Sequence, residues 1–68
     1  MKKYGENLKN ERIVRGISQE KLAKEIGVSQ QAISLYEKNQ TEPTIGVCVK
    51  MADFYGISID ELIGRDFS

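Results

Sequence analysis

A single cysteine, Cys48, and no histidine leave this 68-residue chain without an intramolecular disulfide, the common zinc sites or imidazole acid–base chemistry. Nothing in it resembles a nucleophile with its base, a metal cluster or a phosphate-cradling glycine loop, so neither catalysis nor a cofactor is expected. No apolar run approaches the ~20 residues of a membrane span. The charged start, Met1-Lys2-Lys3-Tyr4-Gly5-Glu6-Asn7, leads into no apolar stretch, so it does not read as a signal peptide and a cytoplasmic protein is expected. An excess of one charge is also missing, because 10 basic and 10 acidic residues cancel. Nucleic-acid binders usually carry a basic excess, and this balance counts against the simplest electrostatic picture of one.

What remains is the composition of a soluble globular protein, 40% apolar and 29% charged. A chain of this length forms one domain with one modest core, spanning residues 1–68 with a short tail at 65–68. The charge is unevenly spread. Lys2, Lys3, Lys9, Arg12 and Arg15 outnumber Glu6 and Glu11 near the start, whereas Asp53, Asp60, Glu61 and Asp66 dominate the end. One end could therefore face phosphate.

Start and stop residues mark five short helical segments, without strand alternation or internal repeat, so the fold class is all-α. The first runs from about Tyr4 to Arg15, contributes Leu8 and Ile13 to the core, and stops at Gly16. Ser18 caps a second, Gln19 to Ile26, with Leu22, Ala23 and Ile26 on one side; Gly27 ends it. Ser29 caps a third, Gln30 to Lys38, with Ile33 and Tyr36, joined by Ala32, turned inward. The Gly27-Val28-Ser29 link forces a large angle between these two helices and presents the later one at the surface.

A loop follows from Asn39, which tolerates the left-handed conformation, to Pro43, which disfavours helix at Glu42. Thr44 caps a fourth helix to about Tyr55, weakened locally by Gly46, with Ile45, Cys48, Ala52 and Tyr55 inward and Met51 beside them. Ser58 and Glu61 make a capping box for a last helix ending near Gly64, where Ile57, Ile59 and Leu62 close the core. Cys48 reads as a small buried apolar side chain rather than a redox switch.

Ile17-Ser18-Gln19-Glu20-Lys21-Leu22-Ala23, then Gly27-Val28-Ser29, Ile33-Ser34 and Tyr36-Glu37 resemble the phage repressor and Cro (XRE) family of helix-turn-helix proteins. Arg12, Pro43, Ala52 and Ser58-Ile59-Asp60-Glu61-Leu62 extend the likeness over nearly the whole chain. The resemblance implies a compact five-helix, lambda-repressor-like domain whose helix-turn-helix, at about residues 18–38, lays its third helix in the major groove. Gln30 and Gln31 stand in the first turn of that helix, and glutamine offers the donor and acceptor that suit the N6 and N7 edge of adenine. Taken alone they are ordinary polar surface residues. Ser34 and Leu35 lie on the same side. Leu35 is either a thymine-methyl contact or an apolar residue at the edge of the core. These residue types suggest a preference for A·T steps.

The same resemblance gives Gln19 a phosphate contact at the start of the second helix, where free amides and the helix dipole favour an anion. It assigns a second phosphate group to Lys38, Asn39 and Gln40. Here the chain departs from better-charged members, since Glu42 stands in that loop and residues Ser18 to Thr44 hold three lysines against four glutamates. Lys2 and Lys3 read as either an N-terminal arm or a solvated terminus. Related domains also pair an arginine of the first helix with a glutamate ending the third, which points to a structural ion pair between Arg12 and Glu37; the alternative is that each is separately solvated.

The expected function is a sequence-specific, double-stranded-DNA-binding transcriptional regulator of the repressor kind. It would act as a homodimer on half-sites about one helical turn (~34 Å) apart, with the C-terminal helix, Ile63 and Phe67 as candidate dimer contacts. The competing reading is a protein-interaction module of the same fold with weak DNA binding, which neutral charge and Leu35 favour. Salt dependence separates the two, because phosphate contacts release counterions.

Overall fold

The computed structural model describes residues 4–64, which form α1 (Gly5–Val14), α2 (Gln19–Ile26), α3 (Gln30–Glu37), α4 (Ile45–Tyr55) and α5 (Ile59–Ile63). Lys2, Lys3 and Phe67 lie outside the described residues. No strand occurs among those described. Hydroxyls set four of the five helix starts by accepting a hydrogen bond from the backbone N–H three residues on. Ser18 takes it from Lys21, Ser29 from Ala32, Thr44 from Val47 and Ser58 from Glu61, at 3.0, 3.0, 3.2 and 3.1 Å. Glu61 Oε1 in turn accepts from Ser58 N at 3.3 Å, completing the capping box. Each such cap contributes about 1 kcal/mol.

The turn between α2 and α3 depends on Gly27, whose φ of 74° is left-handed. In that conformation the Gly27 and Val28 amides both reach Ala23 O, at 2.9 and 3.0 Å, and the chain is redirected within three residues. An L side chain would be strained there. α3 then packs on both α2 and α1, while α4 and α5 pair and close the opposite side.

Leu8, Leu22, Ala23, Ile26, Ile33, Cys48, Met51, Ala52 and Leu62 form the core, so every helix contributes. Tyr36, Val47, Tyr55 and Ile57 pack around it. Three inward assignments fail. Ile13 is 51% exposed. It lies about 140° round α1 from Leu8 at 3.6 residues per turn, and the inward position one turn beyond Leu8 belongs to Arg12. Ile45 is 81% exposed and Ile59 is 37% exposed. Both stand in the first turn of their helices and line an open groove. Met51 sits at the centre of the α4 contact instead, 2% exposed.

α1 is the helix without its own cap, for Tyr4 makes no side-chain capping bond. Its first N–H, on Gly5, donates to Asn39 Oδ1 at 2.8 Å, from 34 residues away. Gly5 is buried against the end of α3, and a Cβ there would collide with the carbonyl oxygens of Glu37 and Tyr36. Glycine-to-alanine in an open helix stabilises by helix propensity. Here the obstacle is backbone, so Gly5→Ala is expected to lower stability by about 1–3 kcal/mol in urea unfolding; a raised midpoint would contradict the close approach.

Candidate nucleic-acid interface

The exposed third helix is held by one polar joint. Arg12 grips Glu37 with two parallel bonds, Nε to Oε2 at 2.7 Å and Nη2 to Oε1 at 3.0 Å. The side chains are 11% and 5% exposed. Arg12 Nη1 also donates to Ile17 O at 2.7 Å, and Gln19 Nε2 donates to Glu37 Oε1 at 3.0 Å. Arg12 of α1 and Gln19 of α2 thus meet at the carboxylate that ends α3, and Arg12 ties the α1–α2 turn to the same joint. Burial pushes the Glu37 pKa up, but hydrogen bonds from Arg12 and Gln19, with the charges of Arg12 and Lys9, more than reverse it and leave it below the ordinary carboxylate value. The hydrogen bond to Glu37 likewise raises the Arg12 pKa, against the opposing effect of burial. A bidentate, desolvated pair of this kind fixes orientation as well as contributing energy.

Gln30 and Gln31, in the first turn of α3, are exposed, and Ser34 and Leu35 are half-buried. At about 100° per residue, Gln30 and Ser34 stack on one side of the helix, as do Gln31 and Leu35. An α-helix with its side chains is about 10–12 Å across, the width of the B-DNA major groove, and the eight residues of α3 run about 12 Å along its axis. Leu35 has a second task, since its carbonyl accepts from Gln40 N at 3.0 Å and Thr41 N at 3.4 Å to close the helix. Lys38, Asn39 and Gln40 are exposed in the following turn, and Asn39 has the left-handed φ of 61°. Its side-chain oxygen is committed to Gly5 N, which leaves its NH2 group as donor. Gln19 keeps one N–H of its amide beyond the bond to Glu37.

Two long-range hydrogen bonds escape sequence reasoning: the one from Gln19 to Glu37 and the one from Gly5 to Asn39. The basic excess near the chain start is also partly spent internally. Arg12 serves Glu37; Arg15 bonds Glu11 Oε1 at 2.7 Å and lies 4.3 Å over the Tyr55 ring. The Tyr55 hydroxyl is buried and finds no hydrogen-bond partner among the described residues. Cys48 is buried, and desolvation pushes its thiol pKa up, away from reactive thiolate behaviour. No group of metal-binding side chains is found among the described residues, and no helix among them is long and apolar enough to cross a membrane.

A helix-turn-helix family model, HTH_3, matches residues 8–62, and the chain belongs to that family. It is 38% identical over 55 residues to an uncharacterized HTH-type transcriptional regulator of Methanocaldococcus jannaschii, covering 81% of this chain and 83% of that protein. It is 43% identical over 63 residues to the cryptic phage CTXphi transcriptional repressor RstR of Vibrio cholerae, covering 93% of this chain but only 56% of RstR. Its fold is similar to the P22 c2 repressor solved with a synthetic operator, with a TM-score of 0.85, 32% identity and coverage of 97% of this chain and 100% of that one. The restriction-modification controller protein C.AhdI of Aeromonas hydrophila matches with a TM-score of 0.83 and 30% identity, over 88% of this chain and 91% of its own.

Removing the Glu37 carboxylate strands Arg12 in a desolvated site. Glu37→Ala is expected to cost about 3–5 kcal/mol in chemical unfolding; unchanged stability would remove the joint from the account. Because folding lowers the Glu37 pKa, its stabilisation is complete above the ordinary carboxylate pKa and is lost as pH falls through the lower folded value. The wild-type unfolding midpoint should therefore drop on acidification below that range more steeply than that of Glu37→Gln.

Proposed function

We propose that the chain binds a specific site on duplex DNA and regulates transcription, repressing by occupying its operator in the cytoplasm. The observation that carries this reading is α3: a surface helix presenting Gln30 and Gln31 from its first turn and fixed in direction by the Arg12–Glu37 joint. Relatives named as transcriptional regulators and repressors, and a structural neighbour solved on an operator, support it over the protein-interaction alternative.

In this reading Gln30, Gln31, Ser34 and Leu35 face base edges. Gln19 meets one phosphate with its remaining amide hydrogen, and Lys38, Asn39 and Gln40 meet another. Backbone affinity is modest, because the chain is electrically neutral and Arg12 and Arg15 are engaged within it. Base contacts then carry a large share of discrimination.

The test is selection of bound duplexes from a randomised pool with the wild type and the Gln30→Ala/Gln31→Ala double variant. Each single substitution should reduce preference for the best site by about 1–3 kcal/mol and leave non-specific binding nearly unchanged. Equal loss on all sequences would contradict base reading, and no enrichment at low salt would turn the reading towards a protein partner. Gln19→Ala should weaken every duplex alike; an effect confined to one base position would refute its phosphate role.

Limited specificity from so small a module makes a homodimer on two half-sites the working geometry. The face supporting it is an apolar groove of about 300 Å³ between the start of α4 and α5, lined by Tyr4, Pro43, Ile45, Cys48, Ile59 and Ile63, with Glu42 at its edge. A second copy would cover Ile45 and Ile59 there. Ile45→Asp is expected to leave the melting temperature within a few degrees of wild type while abolishing cooperative binding to a two-half-site duplex; retained cooperativity would move the dimer contact elsewhere.

A further inference from the structure

We propose that Asn39 is a positioning residue for DNA binding: it fastens the loop after the recognition helix to the first turn of α1, so that Lys38 and Gln40 meet the DNA backbone as a preformed pair. The proposal rests on the reading of that loop as a phosphate contact. Asn39 is the one non-glycine described residue with positive φ, 61°, and it acts in two directions at once. Its backbone N–H closes α3 by donating to Tyr36 O at 3.1 Å, while Gln40 N and Thr41 N return to Leu35 O at 3.0 and 3.4 Å. Its side-chain oxygen takes the first amide of α1, Gly5 N, at 2.8 Å, where Tyr4 supplies no cap.

The missing Cβ of Gly5 lets α1 approach until its start abuts the Glu37 and Tyr36 carbonyl oxygens. The positive end of one helix thus meets the negative end of another, a favourable arrangement of their dipoles. The loop is pinned from α3 through its backbone and from α1 through the Asn39 side chain. A glycine at this position would keep the left-handed backbone but release the second attachment. Lys38 and Gln40, flanking Asn39 and exposed, would then have to be ordered at the moment of binding, which costs affinity for any duplex whatever its sequence.

The test uses the full chain labelled with nitrogen-15, the Asn39→Gly and Asn39→Asp variants, and a random-sequence duplex titrated over a range of potassium chloride. In free Asn39→Gly the Gly5 amide should exchange about fivefold faster, the scale of a lost side-chain cap, and affinity for the duplex should fall by a similar factor. Its log–log salt dependence should stay as in the wild type, because Lys38 still meets its phosphate once ordered. Asn39→Asp keeps the acceptor and should keep the slow Gly5 exchange. Faster exchange with unchanged affinity would make Asn39 a structural cap only and overturn the proposal. Unchanged Gly5 exchange with lost affinity would also overturn it, leaving Asn39 only the direct phosphate contact of its NH2 group. A wild-type chain that binds no duplex at any salt would remove the function reading itself, and that failure is visible before any variant is compared.

Discussion

The structure depends on one desolvated carboxylate. Glu37 ends the recognition helix, and its two oxygens are taken by Arg12 from α1 and Gln19 from α2. An apolar core of nine small and medium side chains can hold five short helices together, but apolar contacts are non-directional and leave the rotation of an eight-residue helix loosely fixed. The planar guanidinium adds direction, because its parallel bonds form only when α1 and α3 stand at one orientation. The Arg12 bond to Ile17 O extends that constraint into the link before α2. Whatever α3 reads, it reads from a fixed angle.

The same carboxylate joins fold to function. Gln19 begins α2 beside free amides, the place where a helix attracts an anion, and its side chain is oriented by Glu37 before any ligand arrives. Just beyond Glu37, at the same end of α3, the turn through Asn39 ties the recognition helix to the start of α1. Both proposed phosphate-contacting groups therefore stand beside the anchored C-terminal end of α3. Such preorganisation lowers the ordering cost of binding and suits a chain whose neutral charge gives it little long-range attraction for DNA.

Local chemistry made most of the fold legible. Ser18, Ser29, Thr44 and Ser58 each stand where a hydroxyl cap is needed, and Gly27 stands where the turn requires positive φ. Those are signals within four residues of their targets. Ile13 and Ile45 were misleading because apolar character does not say which side of a short helix faces in: Arg12 holds the inward place on α1, and the first turn of α4 projects past the core. The Gly5–Asn39 contact spans 34 residues, and nothing in either local sequence announces it. The Arg12–Glu37 pair is legible through family resemblance, whereas for the third partner, Gln19, the same resemblance implies only a phosphate contact. The base-facing assignments rest on residue type and helical spacing and are legible only as a pattern.

If the Arg12–Glu37 joint fixes the recognition helix, the two residues must be strongly coupled, in binding as well as in folding. The direct measurement is a double-mutant cycle with Arg12→Met and Glu37→Leu, following both urea unfolding and affinity for the selected duplex. The account predicts a coupling towards the upper end of the range of about 0.5–3 kcal/mol found for contacting residues. The double apolar variant should regain much of the stability lost by either single one, yet bind DNA more weakly because Gln19 has lost its acceptor. Additive effects on stability, or a double variant that binds the duplex as tightly as wild type, would contradict it.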